Sequence, residues 1–206
     1  MKSLFYITFF LFSFSLYSQI KLNPDYTYIK DGKEISYKKG LKHLQSGNYT
    51  AQIMDEKRTV VIMEPSQIEE GMPFPFEAVR DINGNTLNPS DMEGRIVVIN
   101  YWFTGCRPCI MEMPELNEVV DRYADQEVVF LAFANDITPM VSSFLKKHQF
   151  DYTIIPGQMT ATLNKGITLF PTHILVNSEG IIEYKLTGYS EGVGDKISSQ
   201  IEKMLN

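Results

Sequence analysis

The stretch NYWFTGCRPCIMEMPE, Asn100 to Glu115, holds both cysteines of the chain, Cys106 and Cys109. Paired thiols at this spacing support three chemistries: a dithiol that cycles with a disulfide, half of a metal site, or a structural staple. A structural zinc takes four ligands and the pair supplies only two. The three histidines, His43, His148 and His173, are scattered and share no ligand spacing, so no metal is expected. His43 and His148 lie among lysines and read as solvated. A staple gains from closing a long loop, and a bridge between neighbours this close constrains the unfolded chain little. The redox reading leads, with a Cys106–Cys109 disulfide as its oxidised state and no cofactor beyond it.

The flanking elements position the pair. RIVVINYWF is a continuous apolar and aromatic run, suited to a strand covered on both faces. From Arg107 the pattern turns helical, with Ile110, Met113, Leu116, Val120 and Tyr123 three or four apart. Pro114 falls inside this helix and is expected to kink it. Cys106 therefore stands at a helix start, where unpaired N–H groups and the positive end of the macrodipole favour a thiolate. Arg107 adds a positive charge, and Pro108 costs little in a first turn while limiting freedom between the sulfurs. Cys109, one turn further in, is expected to be less exposed. The assigned roles follow from thiol–disulfide exchange: Cys106 attacks, a mixed disulfide forms, and Cys109 resolves it.

The rest of the chain fits a body that can hold such a site. EVVFLAFAN, YTIIP, THILV and IIEYKLTG read as strands, with the last two joined through NSEG. TPMVSSFLKKHQF, TATLNKG and the segment carrying Val193, Ile197, Ile201 and Met204 read as helices. Asn83-Gly84 marks a tight hairpin turn. This order implies an α/β fold with a mixed central sheet and helices on both faces. Reaction sites in such sheets gather at the carboxyl ends of strands, where Cys106 lies.

Upstream, residues 1–18 carry one charge, Lys2, and an apolar centre, which reads as a secretory signal peptide. Residues 3–20, free of charge, are alternatively an uncleaved membrane anchor. Residues 19–70 read as a small α+β extension of unknown role, with a short helix ending near Gly47 and a hairpin of NYTAQI and TVVIME. GMPFPF, residues 71–76, marks the boundary as a connector or edge segment. The formal net charge is −6 and no basic stripe is present, so nucleic acid and anionic membrane surfaces are not expected partners.

VVINYWFTGCRPCIMEMPE resembles the active-site segment of thioredoxin-like proteins, especially the exported TlpA and ResA type, which is related to the redoxins. The aromatic-Trp pair Tyr101-Trp102, the C-x-x-C, Pro114 and the later LFPTHILV agree in order, and the likeness covers residues 71–206. It implies a thioredoxin-like fold and an extracytoplasmic, periplasmic-type thiol–disulfide oxidoreductase. Its substrates would be exported protein disulfides or thiols, and a membrane protein would donate electrons. It also implies that Pro171 is cis and faces the cysteines, joining Cys106, Cys109 and Glu112 as catalytic positions. Trp102, Arg107, Pro108, Phe170 and Thr172 would contact substrate, with core filling as the alternative for Phe170.

Three residues depart from the pattern. Asn100 stands where thioredoxins commonly hold a buried acid, and it cannot take a proton. Glu112 is the alternative proton acceptor, or else an exposed first-turn acid. Gly105 replaces a frequent tryptophan and implies a more open loop. His173 is expected to face away from the site. Two other functions stay open here: a thiol peroxidase of the redoxin type, and a non-catalytic adaptor or chaperone.

Overall fold

The structure, a computed structural model, describes residues 24–30, 33–45, 50–53, 59–63 and 68–206. The signal or anchor expected within residues 1–20, and Gly47, lie outside the described residues. In the extension, β1 (Thr27–Lys30), β2 (Lys33–Ile35), β3 (Thr50–Ile53) and β4 (Thr59–Met63) form a sheet of order β2-β1-β4-β3, with α1 (Tyr37–Gln45) beside it. The β3/β4 pair is the hairpin expected from NYTAQI and TVVIME. Tyr28, Val60 and Ile62 make a small core of their own. Gly40 faces Tyr28 so closely that a Cβ would sit 2.7 Å from its ring.

Ile68, just ahead of the expected boundary, is fully buried in a core shared with Phe74, Val97 and Ile182. Met72 O accepts the Ile182 N–H at 2.9 Å and Phe74 N–H donates to Gly180 O, so GMPFPF is an edge segment rather than a free linker. β5 (Val79–Arg80) and β6 (Thr86–Leu87) form the hairpin around Gly84, whose φ of 88° suits glycine. The Asp81 carboxylate accepts from the side-chain amide of Asn85 and the backbone N–H groups of Asn83 and Asn85, holding its carboxyl below the usual range. That support is present above the ordinary carboxylate pKa and is lost as pH falls through the lowered value.

The central sheet contains β7 (Ile96–Trp102), β8 (Val128–Ala134), β9 (Thr153–Ile155), β10 (Thr172–Val176) and β11 (Ile182–Thr187). Its order is β11-β10-β7-β8-β9; β7, β8 and β9 run parallel, and β10 is antiparallel to both neighbours. Every residue of β7 is buried, as a strand covered on both faces requires. Side-chain alternation divides it: Ile96, Val98 and Trp102 join one core, while Val97, Ile99 and Tyr101 join the other.

Helices α2 (Arg107–Arg122), α3 (Thr138–Leu145) and α5 (Val193–Leu205) contribute to the first core. α2 buries Cys109, Met113, Leu116 and Val119 at helical spacing. Pro114 lies within α2 on its exposed side, and the helix continues through it. α4 (Met159–Asn164), the 3₁₀ turn Pro89–Met92 and the edge segment flank the second face. α5 approaches α2 closely at Gly194, whose added Cβ would lie 3.2 Å from Glu115 O.

Candidate active site

The site forms where β7 ends and α2 begins. The Asn135 N–H donates to Trp102 O at 3.0 Å, and Asp136 accepts the Thr104 N–H through Oδ2, so the end of β8 fixes the loop before the cysteines. Sequence reasoning missed both residues, although the polar pair after EVVFLAFA sits at a strand carboxyl end. Cys106 is the N-cap of α2, with its Sγ accepting the Cys109 N–H at 3.3 Å. Arg107 and Pro108 occupy the first helical positions, where the missing proline N–H leaves no vacancy in the ladder.

Cys106 and Cys109 are joined as a disulfide with Cα atoms 5.3 Å apart. The expected contrast in exposure is slight, since Cys106 is 4% exposed and Cys109 2%. The accessible rim is made instead by Gly105, Arg107 and partly exposed Pro108. A Cβ built on Gly105 would lie 3.5 Å from the Phe103 ring, an ordinary van der Waals contact.

The Phe170–Pro171 bond is cis. The Phe170 ring meets the Phe103 ring edge-on at 5.4 Å, which brings the proline loop to the loop preceding Cys106. Phe170 is partly exposed and packs on both cores, so it fills core space while leaving part of its surface accessible.

Two expected substrate contacts are corrected. Trp102 is fully buried, with its ring against Phe144 and Phe150, because strand alternation turns it under α3 rather than toward the rim. Thr172 is also buried; its hydroxyl donates to Leu169 O at 2.8 Å, and its backbone lies between β7 and β11.

The expectation for His173 is overturned as well. β10 pairs with β7 so that His173 lies opposite Asn100, and both are buried. His173 Nε2 is 2.9 Å from Glu112 Oε2, and His173 Nδ1 is 3.3 Å from Asn100 Nδ2. Glu112 is 1% exposed, which removes the exposed-acid alternative. Its other oxygen accepts the Ser190 N–H at 3.0 Å. A buried carboxylate needs such partners, and here both oxygens have one. Glu112 follows Cys109 by three positions, one turn along the same side of α2.

The signal for this chain of contacts was present in the sequence as polar residues inside two apolar strands. Ser190 carried no such signal, because it contributes only its backbone. Burial, with a smaller effect of the Glu112 charge, pushes the Tyr152 hydroxyl far above the usual phenol range, so it stays neutral. Among the described residues, no three His, Cys, Asp or Glu side chains gather as a metal site.

The mixed sheet and the cysteine pair at a helix start define a thiol–disulfide oxidoreductase of thioredoxin-like fold. Residues 69–205 match the Redoxin family, and the chain belongs to it. A curated relative, the thiol-disulfide oxidoreductase ResA of Bacillus anthracis, is 27% identical over 145 residues, covering 69% of this chain and 80% of the relative. The thioredoxin domain of a thiol-disulfide oxidoreductase from Bacteroides vulgatus superposes with a TM-score of 0.58 at 24% identity, covering 68% of this chain and 99% of that one. A secreted Mycobacterium tuberculosis disulfide oxidoreductase superposes with a TM-score of 0.53 at 16% identity, covering 61% and 94%.

Proposed function

We propose that this oxidoreductase works outside the cytoplasm as a reductase of protein disulfides, with electrons returned to it by a membrane partner. The observation that carries the site assignment is Cys106 at the N-cap of α2, its sulfur already accepting a backbone N–H. In the reduced state the same donors and the helix macrodipole stabilise a Cys106 thiolate. That thiolate attacks a substrate sulfur, the substrate disulfide breaks, and a mixed disulfide forms. Cys109 then attacks Cys106, closes the bridge and releases the reduced substrate. The Cys106–Cys109 pair is the redox group and needs no added cofactor.

Arg107, Pro108 and Phe170 form the substrate-facing rim in this reading, and the backbone at Pro171 offers an edge to an extended peptide. Glu112 accepts the Cys109 proton, directly or through water. The apolar segment near the amino terminus supports export, and so does the secreted nature of one structural neighbour.

Reduction of a protein disulfide by the reduced chain tests the reading, with Cys106→Ser as control; equal rates for the two would sink it. The reduction potential tests direction. A value near ~−270 mV supports a reductase, whereas ~−120 mV would make the protein an oxidant.

A further inference from the structure

We propose that His173, held by Asn100, is the positioning residue that lets Glu112 take up and return the Cys109 proton. The inference rests on the Glu112 role above and adds the two residues that make that role work. Asn100 Nδ2 is a donor, so His173 Nδ1, 3.3 Å away, accepts. The ring proton then sits on Nε2 and is donated to Glu112 Oε2 at 2.9 Å. In this state a carboxylate and a neutral imidazole share a buried site that has room for one more proton.

When that proton arrives it rests on Glu112, and the neutral carboxyl still accepts the His173 Nε2–H through Oε2. Asn100 serves this state too, because its amide N–H keeps the ring proton on Nε2. An acid at position 100 would favour the charged ring at all times and fill the vacancy. The amide is thus the side chain that permits both states. Glu112 Oε1 is held by the Ser190 N–H, and the Tyr152 hydroxyl, just ahead of β9 and near enough to feel the Glu112 charge, stays neutral.

In the resolving step Cys109 loses its proton to the pair, and its thiolate attacks Cys106 Sγ. The Cys106–Cys109 bond forms as the Cys106–substrate bond breaks, and the substrate sulfur leaves with the electron pair. That leaving thiolate takes the proton from the pair, directly or relayed through water, which returns the site to its first state. Two electrons pass from the protein dithiol to the substrate disulfide.

The test follows both exchange steps in the full chain, using a disulfide-bonded model peptide across a range of pH. His173→Leu, unlike His173→Gln, gives Glu112 no N–H. It is expected to leave the Cys106 attack within about twofold and to slow resolution about tenfold to hundredfold near neutral pH. The deficit should shrink as pH rises and hydroxide removes the Cys109 proton instead. An unchanged resolving step, or equal slowing of both steps, overturns the inference. Glu112→Gln separates the two claims: slowing there but not in His173→Leu leaves the Glu112 role standing, and slowing in neither removes both. Nitrogen-15 NMR of the unsubstituted protein gives an independent reading. The His173 ring should carry its proton on Nε2, and the Nδ1–H tautomer or a permanently charged ring overturns the proposal.

Discussion

Cys106 and Cys109 differ less in burial than in position, one capping α2 and the other lying inside its first turn. Their proposed roles therefore separate by substitution. Cys109→Ser should accumulate a mixed disulfide through Cys106, seen as a mass increase of one substrate chain, and Cys106→Ser should trap none. Trp102 belongs to the core, so its substitutions should act on stability. Trp102→Ala is expected to cost about 3–5 kcal/mol in urea unfolding, while Trp102→Phe should leave KM for a disulfide substrate unchanged. The cysteine pair is legible in sequence because helix start, spacing and thiol chemistry are local. The place of Trp102 is not, because nearness in sequence to Cys106 does not say which face of β7 a side chain takes.

The strands, the hairpins and the α2 and α5 helices are legible from period and turn residues, since β7 is uniformly apolar and α5 repeats Val193, Ile197 and Ile201 on one side. What periodicity does not carry is register between distant strands. That pairing sets His173 opposite Asn100 and turns it under α2, against the direction expected from sequence. The α2/α5 packing is hidden for the same reason. Gly194 leaves 3.2 Å between a built Cβ and Glu115 O, and its N–H donates to Glu115 Oε2. Gly194→Leu should force the helices apart and lower stability by about 1–3 kcal/mol, the usual cost of overpacking, read as a fall in the urea midpoint.

At the scale of the whole molecule, the extension has its own sheet and its own core, apart from the two cores of the body. Gly40→Ala would drive a methyl group into Tyr28 and should unfold the extension. Hydrogen exchange should show protection lost across β1 to β4, with disulfide exchange by Cys106 unchanged. The body, by contrast, gathers its site from distant stretches, for Asn100 and His173 stand 73 positions apart and touch only through β7 and β10. This pairing sorts changes of chain length into two kinds. Added length in an exposed turn such as residues 124–126 costs little beyond loop entropy. One residue inserted within β10 ahead of His173 reverses the facing of everything after it, because side chains alternate along a strand. The inserted chain should keep its disulfide yet lose the imidazole beside Glu112, measurable as intact bridge formation with slowed release of substrate. Through that register, the site is held less by the loops that join its strands than by the exact residue count within β7 and β10.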